Sequence, residues 1–172
     1  VKLPVIVYNR DSQAEVLTDA IDLRNKLEEI ANAEYAKTGK YIRPIALFQA
    51  QPKGKEDATT FEKLRDKLVD AGIPADQIAI RTADVNELKN VELMSPNCPI
   101  RYIITVNALK EGWDCPFAYI LASLANKTSQ VDVEQILGRI LRLPHTSQHT
   151  QSALNMSYVL TLSLIHISEP TR

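Results

Sequence analysis

Residues 101–106 have the sequence Arg-Tyr-Ile-Ile-Thr-Val, the clearest strand pattern in the chain. β-branched and aromatic residues of this kind favour extended structure. Residues 43–49, Arg-Pro-Ile-Ala-Leu-Phe-Gln, form a second short run that is nearly continuous in apolar residues. A strand of that composition is typical of a parallel sheet that is covered on both faces. These two stretches therefore favour an α/β domain.

Helical and extended patterns alternate along the rest of the chain. Apolar residues recur with helical spacing from Ala14 to about Ala36, and Asp11 or Ser12 can cap that helix. Alternating helices and strands predict a three-layer α/β domain with a mostly parallel sheet and helices on both faces. In such domains ligands bind outside the carboxyl ends of the strands. The further predicted helices are 59–71 and 131–143, and the further strands are 4–8, 77–82, 117–122 and 155–160.

The composition is that of an ordinary globular domain. Of the 172 residues, 45% are hydrophobic and 24% are charged, which excludes a collagen-like or wholly disordered chain. The sequence lacks the run of about 18 apolar residues that a membrane span needs, so no membrane partner is expected. Because 20 basic residues face 21 acidic ones, a nucleic-acid contact has to come from a local patch. Two cysteines without disulfide or zinc spacing favour a cytoplasmic location.

The strand at 101–106 leads directly into the segment Thr105-Val-Asn-Ala-Leu-Lys-Glu-Gly-Trp-Asp-Cys-Pro116. Gly112 permits a close approach of the backbone. Asp114 offers an acceptor suited to a ribose hydroxyl or a cationic partner. A turn with a capping aspartate and a packed tryptophan accounts for the same residues, so this segment alone leaves both interpretations open.

A second segment, Gln135-Ile-Leu-Gly-Arg-Ile-Leu-Arg142, lies in the last predicted helix. Gln135, Arg139 and Arg142 are spaced so that they share one helix face. Gly138 costs up to about 1 kcal/mol relative to alanine inside a helix, which indicates a close approach there. Two guanidinium groups and an amide on one face suit a triphosphate. A solvated basic edge of the helix is the alternative.

Together the two segments resemble motifs V and VI of superfamily 2 helicases. The stretches Ala108–Pro116 and Val133–Pro144 are most similar to the second RecA-like motor domain of type III restriction enzyme Res subunits and their DEAD/DEAH-box relatives. The resemblance covers residues 1–161, with motif V at about 105–116 and motif VI at 135–142. It implies a RecA-like domain of an ATP-dependent DNA translocase or helicase, a hydrolase that belongs to a restriction endonuclease.

The resemblance implies an ATP site. Arg139 and Arg142 would act as arginine fingers on the γ-phosphoryl group, and Gln135 would orient the nucleotide or the attacking water. ATP with Mg²⁺ would be held mainly by a first motor domain outside this chain, so the chain alone is expected to be inactive. The residues expected to lie against the nucleotide are Gly112, Asp114 and Gly138.

The resemblance also implies a surface for the backbone of double-stranded DNA. Its contacts would come from the loop after the strand at 43–49 and from the start of motif V. Further implied partners are the first motor domain and a modification (methyltransferase) subunit. The residues expected to contact DNA are Gln49, Gln51, Thr105, Val106 and Asn107.

Other chemistry has little support in the sequence. Neither Gly39-Lys40 nor Gly54-Lys55 continues into a phosphate-binding loop, and no Asp-Glu box follows. The three histidines have no cysteine or acidic residue at ligand spacing, so no metal site is predicted.

Residues 162–172 do not continue the pattern and resemble a translated sequencing adapter, so we expect the natural protein to run on after Thr161. Two alternatives to a DNA motor remain. One is a non-catalytic α/β binding or interaction domain whose arginines form a surface edge. The other is half of an RNA helicase, which would use the same motifs.

Overall fold

A computed structural model confirms the predicted fold class. Six strands form one parallel sheet with helices packed against it, the arrangement of a three-layer α/β, RecA-like domain. No helix in the part of the chain that the structure describes is long and apolar enough to cross a membrane. The described residues are 4–51, 59–106, 115–124, 135 and 149–162.

Each predicted strand and helix that lies within the described residues has an observed counterpart. The helices are α1 (Gln13–Thr38) and α2 (Phe61–Asp70). The strands are β1 (Val5–Arg10), β2 (Ile45–Gln49), β3 (Ile78–Ile80), β4 (Tyr102–Thr105), β5 (Ala118–Ser123) and β6 (Ser157–Leu162). Their order across the sheet is β1-β6-β5-β2-β4-β3, and all neighbours are parallel.

Polar and flexible residues set the ends of the helices. The Ser12 side chain accepts a hydrogen bond from the N–H of Glu15 and so caps α1. Gly39 ends α1 with a φ of 77°, and its N–H donates to the carbonyl of Tyr35. Thr60 caps α2 in the same way as Ser12 caps α1. Gly39-Lys40 is therefore the end of a helix, whereas a phosphate-binding loop leads into the start of one.

Right-handed connections place α1 and α2 on the same face of the sheet. Both connections, from β1 to β2 and from β2 to β3, advance in the same direction across the strands. A hydrogen bond of 3.3 Å from Arg24 of α1 to the hydroxyl of Tyr102 shows which face of β4 the helix covers. The chain then returns across the sheet through β4, β5 and β6.

The core lies around the three central strands. Every residue of β4 and β5 is buried, and so is every residue of β2 except Gln49 at its end. Burial on both faces explains why the run at 43–49 is continuously apolar. Leu64 and Leu68 of α2 and Val16, Ala20 and Leu27 of α1 complete this core from the helix side.

Candidate functional site at the carboxyl edge of the sheet

Three polar residues end three adjacent strands at the same level. Gln49 pairs in register with Thr105 of β4 on one side and with Ser123 of β5 on the other. Because side chains alternate along a strand, these three point to the face opposite Phe48 and Tyr102, away from α1. Neighbouring strands are about 4.8 Å apart. The structure therefore brings two predicted DNA contacts, Gln49 and Thr105, side by side and adds Ser123, which the sequence had not indicated.

Thr105 is the most unusual of the three. It is fully buried, and its Oγ1 has no hydrogen-bond partner among the described residues. Its carbonyl oxygen, in contrast, accepts from the N–H of Ala50 at 2.8 Å and ties β4 to the end of β2. Leaving a buried hydroxyl unsatisfied costs about 1–3 kcal/mol, so such a group calls for a functional explanation.

Gln49 and Gln51 have different surroundings. Gln49 is half-buried, and its side chain makes no hydrogen bond to the described residues. The side-chain oxygen of Gln51 accepts from the N–H of Thr59 at 2.7 Å, and its own N–H donates to the Thr59 carbonyl at 2.9 Å. The Thr59 hydroxyl in turn donates to Gln13 at 2.6 Å. Gln51 thus joins the start of α2 to the start of α1, and its contact with DNA stays a prediction.

The polar line continues to both edges of the sheet. The pairing of β3 with β4 brings Arg81 beside Thr105, and the pairing of β5 with β6 brings Thr161 beside Ser123. Thr161 pairs in turn with Asn9 of β1. A polar residue therefore lies at the end of each strand, or one residue from it, on one face of the sheet, and Thr105 and Ser123 in the middle of this line are buried. We call these residues the carboxyl-edge row: Arg81, Thr105, Gln49, Ser123, Thr161 and Asn9.

The predicted ATP residues are described only in part. Gln135 is helical and exposed, and its role at an ATP site stays a prediction. Val106 is half-buried directly after β4, at the start of motif V. The remaining predicted residues lie outside the described residues: Asn107, Gly112, Asp114, Gly138, Arg139 and Arg142.

The far end of motif V is described and is firmly held. Cys115 is buried, and Phe117 is buried with a φ of 72°, a backbone conformation that is rare for a bulky residue. The Phe117 carbonyl accepts from the N–H of Ile45 at 2.8 Å. The Arg43 guanidinium lies 5.7 Å from the centre of the Phe117 ring. The segment that resembles motif V is therefore followed directly by a buried residue in a rare backbone conformation, at the amino end of β5.

Titratable groups with shifted pKa values lie away from the carboxyl edge. Burial raises the pKa of Glu34, but hydrogen bonds from Thr150 and Gln151 and the nearby His149 outweigh it, so the pKa is lowered overall. Burial, followed by the charges of Tyr158 and Glu34, raises the pKa of Tyr119. The described part of the chain contains no group of three or more His, Cys, Asp or Glu placed to hold a metal ion.

Comparison with known proteins adds no relative. No protein-family model matches the chain, and no curated protein matches it significantly.

Proposed function

We propose that this chain is the second motor domain of an ATP-dependent DNA translocase of the type III restriction enzyme kind. The observation that carries the proposal is the placement of motif V. It begins at Thr105, beside Gln49, at the edge of a parallel α/β sheet where ligands of such folds bind. Motif VI supplies the second half of the argument, since Gln135 is helical and exposed.

The proposed chemistry needs planar cations at a transferring phosphoryl group. Arg139 and Arg142 would stabilise the charge that develops on the γ-phosphate, and Gln135 would orient the nucleotide or the attacking water. Asp114 would accept from the ribose, with Gly112 and Gly138 allowing close approach. ATP with Mg²⁺ would be held mainly by a first motor domain outside these 172 residues.

The proposed DNA surface consists of uncharged hydrogen-bond donors rather than of many basic side chains. Gln49 is half-buried and carries side-chain N–H donors for phosphate oxygens, whereas the Thr105 hydroxyl beside it is buried, so Gln49 is the member of the pair that would contact the DNA backbone. With 20 basic and 21 acidic residues, the chain lacks the overall charge that would hold DNA without positioned donors. In the full-length protein, we further propose cytoplasmic action together with a modification subunit.

Replacing Arg139 by alanine in the full-length protein tests the ATP role. An arginine finger is worth roughly 10³–10⁵-fold in turnover, so DNA-stimulated ATP hydrolysis should fall by orders of magnitude. Arg65→Ala is the matched control, because Arg65 is a part-exposed arginine of α2 that pairs with Glu87. Turnover equal to wild type in R139A would remove Arg139 from the ATP site.

The complete reading frame offers an independent check. A motor needs a phosphate-binding loop and an Asp-Glu box, and both should be encoded upstream of Val1. A frame that encodes neither would contradict the proposal. Comparing stimulation of ATP hydrolysis by DNA and by RNA separates a DNA motor from an RNA helicase.

A further inference from the structure

The two edge strands of the sheet have different surroundings. At one edge, β3 has three residues, and its outer side is occupied by the chain itself. The N–H of Ile80 donates to the side-chain oxygen Oε1 of Glu87, and the carbonyl of Ile80 accepts from the N–H of Glu87, both at 2.9 Å. Asn86 pairs with Arg81 in an antiparallel bridge. Natural sheets prevent pairing with other chains by covering an edge in this way.

The other edge strand, β1, is open. The N–H of Ser157 in β6 donates to the carbonyl of Pro4 at 2.9 Å, so the even-numbered residues of β1 bond to β6. The backbone groups of Val5, Val7 and Asn9 therefore point to the outside, and their N–H groups have no acceptor among the described residues. The guanidinium of the following residue donates to the Asn9 carbonyl at 3.0 Å, which leaves one lone pair of that oxygen open.

The side chains along this open edge are mostly apolar. Arg10 pairs with Asp19 of α1, so the even-numbered side chains of β1 face the helix and the odd-numbered ones face the other side of the sheet. On that other side Val5 is 39% and Val7 53% exposed. An open edge of six residues, with two exposed valines and with its single charge already paired, is a template for another strand.

The sequence of β1 is complementary to itself in an antiparallel pair. With Val7 facing Val7 of a second copy, Val5 faces Asn9, and six backbone hydrogen bonds use every outward N–H and C=O group of both strands. The same register places Ile6 opposite Tyr8 on the side of α1, and a β-branched residue opposite an aromatic one stabilises a sheet. The charged residue at the end of the strand faces no other charge of β1.

We propose that the outer edge of β1 is a self-association site, where two copies of this chain pair their β1 strands antiparallel and join their sheets into one. Interfaces carry about one hydrogen bond per 100–200 Å², so six bonds correspond to roughly 600–1,200 Å² of buried surface. Weak complexes have interfaces of this size, and we expect a dissociation constant of roughly 10–100 µM. The site is independent of the ATP and DNA roles proposed above.

Sedimentation velocity of the 172-residue chain from roughly 5 to 500 µM measures this association. Val7→Lys should weaken it at least about tenfold, because two lysines would face each other at the centre of the interface. Val69→Lys is the matched control. Val69 is a valine of α2 with 43% exposure, so its replacement should leave the dissociation constant unchanged. Circular dichroism melts check that both variants are folded.

Cysteine cross-linking tests the register without placing a charge in the interface. The Cα atoms of a hydrogen-bonded antiparallel pair are about 5.5 Å apart, a distance that a disulfide spans. Val7→Cys should therefore give a disulfide-linked dimer under mild oxidation. Val5→Cys is the control, because the two Val5 positions are four residues apart along the paired strands, roughly 13 Å. Cys98 and Cys115 are buried, so the wild-type chain should not cross-link.

Three outcomes would overturn the inference. The first is a wild-type chain that stays monomeric at about 500 µM, which would leave the β1 edge to a strand of another domain or protein. The second is the same dissociation constant for V7K and V69K. The third is cross-linking of V5C as complete as that of V7C. None of these affects the role of Arg139, which ATP turnover in the full-length protein measures separately.

Discussion

Arg43 is the largest fully buried side chain in the described part of the chain. Its guanidinium donates to three backbone carbonyls: Leu93, Ser95 at 3.0 Å and Ile100 at 2.7 Å. It also packs beside the Tyr41 and Phe117 rings, 6.0 and 5.7 Å from their centres. A planar fork of five donors satisfies several carbonyls at once, and a lysine ammonium cannot reproduce that geometry.

Arg43→Met should therefore destabilise the domain by about 3 kcal/mol, because it leaves several buried carbonyls without donors. Arg43→Lys should cost nearly as much, since one ammonium cannot reach all three acceptors. Urea denaturation followed by circular dichroism measures both changes. Arg101→Met is the control: its part-exposed ion pair with Glu28 is worth at most about 1 kcal/mol. If R43M lowers the free energy of unfolding no more than R101M does, the proposed stabilisation by the Arg43 hydrogen bonds is wrong.

Helix α1 is fixed at its carboxyl end by one carboxylate. Glu34 accepts from the Thr150 hydroxyl at 2.6 Å, from the Thr150 N–H at 3.1 Å and from the Gln151 N–H at 3.2 Å. The ring nitrogen Nδ1 of His149 lies 3.6 Å from Oε2 of Glu34, and both side chains are buried. The segment that leads into β6 is thus attached to α1 before it enters the sheet.

Glu34→Gln should destabilise the domain by about 2 kcal/mol at neutral pH, because an amide replaces a charged acceptor. The pKa of Glu34 is lowered from 4.5 in the folded state. A lowered pKa contributes stability above 4.5 that is lost as pH falls through the folded-state value. The stability difference between wild type and E34Q should therefore be constant near neutral pH and shrink below pH 4.5. Urea titrations across that range measure it, and a gap that grows in acid would exclude the role of the Glu34 charge.

At the scale of single elements, the local sequence pattern was sufficient to predict where helices and strands form. The run at 101–106 became β4 at Tyr102–Thr105, and the helical spacing from Ala14 to Ala36 became α1 at Gln13–Thr38. These elements follow from residues that are close in sequence. The bond of Gln51 to Thr59 could not be predicted in that way, because it depends on how the two ends of the connection between β2 and α2 meet in the folded chain.

At the scale of the whole molecule, the sequence does not show the order of the strands. A polar residue lies at or next to the end of each strand, but these residues form the carboxyl-edge row only because β6, the last strand in the chain, lies between β1 and β5. Because β6 lies there, Thr161 stands between Asn9 of β1 and Ser123 of β5. The pairing of Gln49 with Thr105 and Ser123 was not predictable, and neither was the bond of Thr161 to Asn9, since these residues are distant in sequence.

The position of β6 also predicts which truncation the domain tolerates. Tyr158, Val159 and Leu160 are buried between β1 and β5, and burying each is worth roughly 1.5–3 kcal/mol. Their sum is comparable to the total stability of about 5–15 kcal/mol of a typical domain. A chain that ends at Gln151 should therefore lose cooperative thermal unfolding and aggregate. A chain that ends at Leu162 keeps all of β6 and should unfold at the same temperature as the 172-residue chain. Circular dichroism melts and size-exclusion chromatography compare the three chains, and an unchanged melt for the chain ending at Gln151 would contradict a central role for β6.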